Sequence, residues 1–451
     1  MKNFPEQFEE NMKLLLAKDF EKYEKSMSEP AVRGLRMNKN YICRENFCSV
    51  FPYNIINILG EDNLFLLETD EKIGNSVFHH AGMIYLQEPS SMLAVLALDV
   101  KDGENVLDLC SAPGGKSSQI LDKNKTGVVV SNEIVRPRAN VLLSNIERQG
   151  FKNCVITSLS PDVLSGFLPN YFDKVLVDAP CSGEGMFRKE PETISEWNEK
   201  LPLFNHERQL QILHEADKML KAGGTLVYST CTFNTKEDEE TVALFAKEYG
   251  YEIVPLPENV QSVTVQGKDV CGQKTSLSRK CFPFLGFGEG QYVCKMIKIS
   301  ENQNEKSKQN KIQIPNKNEI ELSKHLLQST IGKDDFNFYK LGENVYISQI
   351  KLPEIKFGVV CMGVCLGELK KGRIEPAHQF FKAYGTDFKN KIDLQIGDAK
   401  LQQYLSGSEI DCENENGYVC VLCNGVPVGG GKVVSGKVKN HYPKGLRKNL
   451  A

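Results

Sequence analysis

The chain has 451 residues, 41% hydrophobic and 25% charged, and its 55 lysines and arginines against 58 acids leave a formal net charge of −3. That length suggests about three domains, and that composition excludes wholesale disorder, collagen and coiled coil. No apolar run approaches the roughly 20 residues that span a bilayer, and acids among the first ten residues argue against a signal peptide, so a cytoplasmic protein without membrane contact is expected. Fourteen cysteines are too few for a disulfide scaffold of this length and would stay reduced in that compartment.

Residues 1–85 begin with Phe8, Met12, Leu15, Leu16 and Phe20 at helical spacings, followed by a mixed stretch that contains Arg33, Arg36 and Asn38. From about residue 100 short apolar runs alternate with amphipathic ones. Residues 105–110 read as a buried strand, followed by a glycine-rich turn and a helix over 116–123. Strands follow at 127–134, 153–159, 173–180 and 225–230, with helical stretches at 136–150 and 201–222 and an acidic segment at 235–248. In the 136–150 stretch Ala139, Leu142, Leu143 and Ile146 share one face. This alternation predicts a parallel sheet with helices on both faces, here assigned to residues 86–300. Residues 301–325 read as a polar linker. Residues 326–451 read as a smaller β-rich part, with strand-like runs at 344–350, 356–367 and 417–434.

The turn Asp108-Leu109-Cys110-Ser111-Ala112-Pro113-Gly114-Gly115-Lys116 has small residues between a strand and a helix, as at the nucleotide-binding end of a doubly wound sheet. It matches neither the dinucleotide nor the P-loop fingerprint. Glu133, at the end of the next strand, is placed either to accept hydrogen bonds from ribose hydroxyls or to stand as a solvated carboxylate. Arg138 is placed to approach the same pocket or to sit on the surface. Two further segments each put a cysteine at the carboxyl end of a strand: Asp178-Ala179-Pro180-Cys181-Ser182-Gly183-Glu184-Gly185-Met186-Phe187-Arg188 and Tyr228-Ser229-Thr230-Cys231-Thr232-Phe233. One such cysteine is usually inert core; two at the mouth of one cleft point to nucleophilic thiol chemistry.

These three motifs together resemble those of the RNA (cytosine-5) methyltransferases of the Nop2/Sun class, which use S-adenosylmethionine, and are most similar to the bacterial RsmF-like branch that acts on small-subunit ribosomal RNA. The resemblance extends to the tail, where Gly431, Lys432, Gly436 and residues 439–447 are similar to that branch's PUA-like domain. It implies a Rossmann-like class I methyltransferase core with an N-terminal α/β RNA-facing module over 1–85 and a β-rich PUA-like C-terminal domain, acting as a monomer. By the same resemblance the backbone from Cys110 to Lys116 wraps the methionine part of the cofactor and Glu133 holds its ribose. Cys231 is then the nucleophile, Cys181 assists product release, and Asp178 hydrogen-bonds the cytosine edge and also faces the cofactor. Lys116 is implied either to orient the base or to cap its helix. The chain departs from the pattern in two places. Ser160 replaces a carboxylate expected near the adenine, with Asp162 close by, and Phe284 stands where relatives often have histidine.

An RNA substrate suits the end of the chain, where Lys432, Lys437, Lys439, Lys444, Arg447 and Lys448 occur without an acid and His441 and Tyr442 interleave with them. Arg33, Arg36 and Asn38 are expected to add RNA contacts. Cys361, Cys365, Cys420 and Cys423 have zinc-like spacings but lie in strand-like apolar runs, so no metal site is expected. His206 and His214, eight residues apart, read as ordinary helix residues. The competing readings are a transfer RNA cytosine-5 methyltransferase and a weakly catalytic RNA-binding assembly factor.

Overall fold

The computed structural model describes residues 4–300 and 312–447. Two short helices open the chain, α1 (Glu6–Leu16) and α2 (Phe20–Ser26), followed by the antiparallel strands β1 (Gly34–Met37), β2 (Asn54–Asn57), β3 (Leu64–Glu68) and β4 (Ile84–Leu86) in the order β2-β3-β1-β4. The helix α3 (Leu93–Leu98) leads into the central unit. There β5 (Val106–Asp108), α4 (Gly115–Lys123), β6 (Val129–Asn132), α5 (Arg136–Arg148), β7 (Cys154–Thr157), α6 (Pro161–Phe167) and β8 (Phe172–Asp178) alternate. They continue into α7 (Lys200–Met219), β9 (Leu220–Thr230), α8 (Thr241–Tyr249), β10 (Tyr251–Val254), β11 (Val265–Gln266), β12 (Arg279–Cys281) and β13 (Gln291–Lys298).

Strands β9, β8, β5, β6 and β7 lie side by side and parallel, and β13 joins β9 antiparallel. The chain starts at β5 and winds outward both ways, so the strand order reverses between β5 and β8. The loops at their carboxyl ends diverge there and leave a crevice. This is the expected Rossmann-like core. Its strands are continuous apolar runs because helices cover both faces, and Val106, Leu107, Val175, Leu176 and Val177 are fully buried.

The remaining elements are α9 (Lys317–Thr330), β14 (Asn337–Leu341), β15 (Asn344–Ser348), β16 (Val359–Met362), β17 (Val364–Lys370), β18 (Arg373–Pro376), α10 (His378–Tyr384), β19 (Lys391–Leu394), α11 (Ala399–Leu405), β20 (Ile410–Asp411), β21 (Gly417–Cys423), β22 (Val426–Val434) and β23 (Lys437–Asn440). Apart from β16, their strands form two sheets, β14-β15-β17-β18 and β19-β21-β22-β23-β20, the expected β-rich part.

Several expectations change. Of the 301–325 linker, residues 301–311 lie outside the described residues, and α9 begins at Lys317. An Asn316 capping box starts that helix, and its Leu326 and Leu327 are buried. The run 356–367 is two strands, broken at Gly363, whose φ is +68°. The first of them, β16, pairs antiparallel with β7 and so extends the central sheet with a strand from the C-terminal part. Periodicity within the run carries no signal for that division.

Two parts of the N-terminal stretch pack against different neighbours. Phe8 and Tyr23 pack with Phe187, Trp197 and Phe233 of the core, with the Phe8 ring 4.9 Å from that of Phe187. The β1–β4 sheet instead shares an apolar cluster with the last domain, including Phe47, Phe65, Leu401, Tyr404 and Val428.

Arg36 and Asn38 are buried, which removes them from any RNA surface. Arg36 donates to Gln87 Oε1 (2.7 Å), to the Gly115 carbonyl (3.1 Å) and to Ser118, and pairs with Asp122 at 2.9 Å, fastening β1 to α4. Asn38 bridges the carbonyls of Gly82 and Gln149. Arg33 is spent on the carbonyls of Thr69 and Glu71.

The basic tail is partly neutralised, because folding brings up acids distant in sequence. Lys439 pairs with Glu409 at 2.7 Å, Lys437 lies 3.9 Å from Asp411, and Tyr442 is buried. Lys448 lies outside the described residues.

Candidate active site

At the end of β5 the chain must turn sharply into α4. Gly114 has φ +107°, and a Cβ there would come within 2.8 Å of Leu142. Ser111 is turned inward, its N–H and hydroxyl both donating to the Asn132 carbonyl at 2.9 and 2.8 Å. Asp108, fully buried beneath the turn, accepts from Ser117 Oγ at 2.6 Å. Burial pushes its carboxyl up to about 7. Pro113, Gly114 and Gly115 shape the turn, while Cys110 and Ala112 face the crevice. Burial also raises the Cys110 thiol, which makes that side chain a neutral wall.

Glu133 follows β6. One of its oxygens accepts from Val135 N–H at 2.9 Å, and the other pairs with Arg138 at 3.2 Å. Arg138 also donates to the Ala112 carbonyl at 3.1 Å, so it ties the β5 turn to the β6 loop. Asp178 ends β8. Lys116 donates to its Oδ2 at 2.7 Å, and Ser229 Oγ and Gln291 Nε2 donate to its Oδ1 at 2.7 and 3.3 Å. Burial alone would lower the Lys116 ammonium, but the Asp178 charge and hydrogen bond outweigh it and hold it above the usual lysine range. A surface or helix-capping role for Lys116 therefore gives way to an ion pair inside the site.

Cys181 and Cys231 lie on adjacent loops, and their sulfurs are 3.3 Å apart. The hydrogen bond to Cys231, followed by burial, holds the Cys181 thiol well above its ordinary value. The two loops are laced together. Ser182 Oγ and Thr232 Oγ1 are 2.7 Å apart, Gly185 N–H donates to the Cys231 carbonyl at 2.9 Å, and Ser182 N–H donates to Glu237 Oε1 at 2.9 Å. Glu184 Oε2 accepts the N–H groups of Phe233 and Asn234 at 3.1 and 3.0 Å, and its Oε1 accepts from Trp197 Nε1 at 3.1 Å. Gly185 sits so close to Gly290 that a Cβ would lie 2.7 Å from the neighbouring Cα. Behind the Cys231 loop, buried Lys280 pairs with Asp238 and Glu239 and donates to the Phe233 carbonyl.

One cavity of about 880 Å³ is lined by Cys110, Ala112, Glu133, Arg138, Asp178, Cys181 and Cys231, so motifs up to 121 residues apart in sequence open into a single space. Asp162 of α6 also lines it, close to the position where Ser160 lacks a carboxylate. Arg208, Gln211 and His214 of α7 and Tyr249 of α8 complete it. His214 is thus a wall residue, bonded to the Tyr249 hydroxyl at 2.7 Å, whereas His206 is buried against Thr241. Phe284 stacks on Phe282, which stacks on Phe233, an apolar arrangement that a histidine would interrupt.

Glu184 and Ser229 stood inside the quoted motifs without an assigned role, and Gln291 directly follows Gly288-Glu289-Gly290. Gln209, which donates to the Pro180 carbonyl and Glu237, carried no signal, since only the packing of α7 brings it there.

Residues 95–297 match the family described as 16S rRNA methyltransferase RsmB/F, and residues 4–89 match the N-terminal domain of 16S rRNA methyltransferase RsmF. Residues 323–383 match the RsmF rRNA methyltransferase first C-terminal domain, and residues 389–448 match the methyltransferase RsmF PUA domain. The ribosomal RNA small subunit methyltransferase F of Vibrio campbellii is 30% identical, with 98% of this chain and 97% of that protein covered; that of Vibrio vulnificus is 30% identical with the same coverage. Among solved structures, a methyltransferase homologue from Pyrococcus horikoshii has a TM-score of 0.57 at 24% identity, covering 66% of this chain and 96% of its own. NSun6 from the same organism has 0.57 at 18% identity, covering 66% and 100%. These two establish the likeness of fold alone. With full-length similarity to the curated relatives, the chain belongs to the ribosomal RNA small subunit methyltransferase F family.

Proposed function

We propose that the chain transfers a methyl group from S-adenosylmethionine to carbon 5 of a cytosine in small-subunit ribosomal RNA, through a covalent adduct of Cys231 with carbon 6. The observation that carries this reading is the paired thiols, 3.3 Å apart, opening into the same cavity as the glycine-rich turn.

The cavity suits the cofactor. The turn at Gly114 leaves no room for a side chain, and Glu133, Asp162 and Asp178 offer negative charge to a ligand that carries a sulfonium and an ammonium. The backbone from Cys110 to Gly114 would hold the methionine part, Glu133 the ribose and Asp162 the adenine side. When bound, S-adenosylmethionine supplies an electrophilic methyl group.

Carbon 5 of cytosine is a poor nucleophile until a thiolate adds at carbon 6 and makes it enamine-like. Hydrogen bonding and burial keep the proton on Cys181, so Cys231 is the sulfur free to attack, steadied by the Cys181 S–H. Asp178, fixed by Lys116, Ser229 and Gln291, presents a carboxylate to the base edge, where it favours protonation at N3 as the adduct forms. After transfer, a water held at Cys181 takes the carbon 5 proton, the C–H electron pair re-forms the C5–C6 double bond, the S–C6 electron pair stays with Cys231, and the N3 proton is released. Cys181 is the titratable group beside that bond and assists its cleavage. A stacked cytosine does not reach such a cavity, so the target is unpaired or flipped out.

All fourteen cysteines are unpaired, which fits action in a reducing cytoplasm, and among the described residues no helix is long and apolar enough to cross a membrane. The test is incubation with S-adenosylmethionine carrying a labelled methyl group and RNA from a strain lacking the gene, with bisulfite mapping of the product. Label in 16S RNA as 5-methylcytosine is the expected result. Label confined to transfer RNA, or no label at all, sinks the assignment.

A further inference from the structure

On α7 the buried face carries Asn205, His206, Gln209, Ile212 and Leu213, and the opposite face is open. Phe204, Arg208 and Gln211 fall at spacings of four and three and form one row on that open face. The row starts outside the catalytic cavity and runs into it: Phe204 is 63% exposed, while Arg208 and Gln211 line the cavity that holds Cys181 and Cys231. Among the described residues Arg208 has no ion pair, although 25 pairs join other residues of the chain. An aromatic ring left largely in water forgoes favourable burial, and a bare guanidinium one turn away is complementary to phosphate.

We propose that this row is the docking surface for the nucleotide next to the target cytosine. Phe204 stacks on the neighbouring base, and Arg208 takes the phosphate between that nucleotide and the flipped cytosine. The inference rests on the RNA substrate proposed above and adds where the strand runs: along α7, over the edge formed by the Cys181 loop. Stacking is blind to base identity and a phosphate contact is blind to sequence, so the surface holds a single strand in register while the cavity selects the cytosine.

Both side chains are exposed, so their removal leaves the core intact. Phe204→Ala is expected to raise the KM for RNA roughly tenfold, with kcat and S-adenosylmethionine affinity unchanged, and Phe204→Tyr to restore it. Arg208→Ala is expected to weaken RNA binding and to reduce the slope of log K against log salt by about 1. If the wild-type enzyme methylates RNA but both variants match it in KM and salt slope, the docking surface is overturned while the proposed function stands. If the wild type methylates no RNA, both readings fall.

Discussion

The Cys181 and Cys231 sulfurs lie 3.3 Å apart although 50 residues separate them, because β8 and β9 are parallel neighbours and end in register, with Asp178 opposite Ser229. Each loop leaves its strand at the same height. The hydrogen bond to Cys231 and burial raise the Cys181 thiol, in accord with the proposed division of labour. Cys231→Ala is therefore expected to abolish methyl transfer while RNA binding persists. Cys181→Ala is expected to accumulate an RNA–protein adduct that survives a denaturing gel. Full activity in Cys231→Ala would reassign the nucleophile.

Glu184 is the carboxylate that fixes this pair. Three residues on from Cys181, it accepts with its two oxygens from two backbone amides just beyond Cys231 and from Trp197. Removing it frees the loops to separate, and misplacement by about 1 Å can cost roughly a hundredfold in rate. Glu184→Ala is expected to lower kcat by that order, to leave S-adenosylmethionine affinity unchanged and to alter the rate at which iodoacetamide alkylates Cys231. An unchanged kcat removes the positioning role.

Asp108 makes stability depend on pH. Burial pushes its carboxyl up to about 7, the Ser117 hydrogen bond offsets part of that, and the Asp178 charge adds to it. Between the ordinary carboxylate value of 3.8 and about 7 the folded chain keeps a proton that the unfolded chain has released. Stability from this group is full below that window and is lost as pH rises through it. Asp108→Asn is expected to stabilise the fold at pH 8, by a few kcal/mol at most, and to do so by less than half as much at pH 5. An equal effect at the two pH values contradicts the assignment; thermal melts without cofactor decide it.

Arg36 is structural rather than RNA-binding. Its buried pair with Asp122 and its bond to the Gly115 carbonyl join the N-terminal sheet to the helix behind the cofactor turn. Arg36→Ala leaves Asp122 buried without its partner and is expected to cost about 3–5 kcal/mol in chemical denaturation. RNA affinity per folded molecule should not change; a selective loss of RNA binding at full stability would restore the surface role.

Strand and helix alternation from residue 105 to 230 was legible because parallel strands covered on both faces are uninterrupted apolar runs, and because the small residues of 110–115 have few uses other than a tight turn. The motif cysteines, Asp178 and Glu133 were legible as residues at strand ends. Glu184 and Ser229 were visible, but their roles were not, since the backbone amides that Glu184 accepts from leave no mark in any side chain and the Ser229–Asp178 bond depends on the pairing of β8 with β9.

The sequence by itself determined the alternating core, the turn and the two thiols, all local patterns in which spacing reflects the geometry of one element. Only the tertiary structure decided that β16 joins the catalytic sheet, that Arg36 is a buried fastener, and that two of the tail's lysines meet acids elsewhere. Each of these depends on a partner far away in the chain. A charged residue reads the same in sequence whether it ends in water or in an ion pair, and the fold alone supplies the partner.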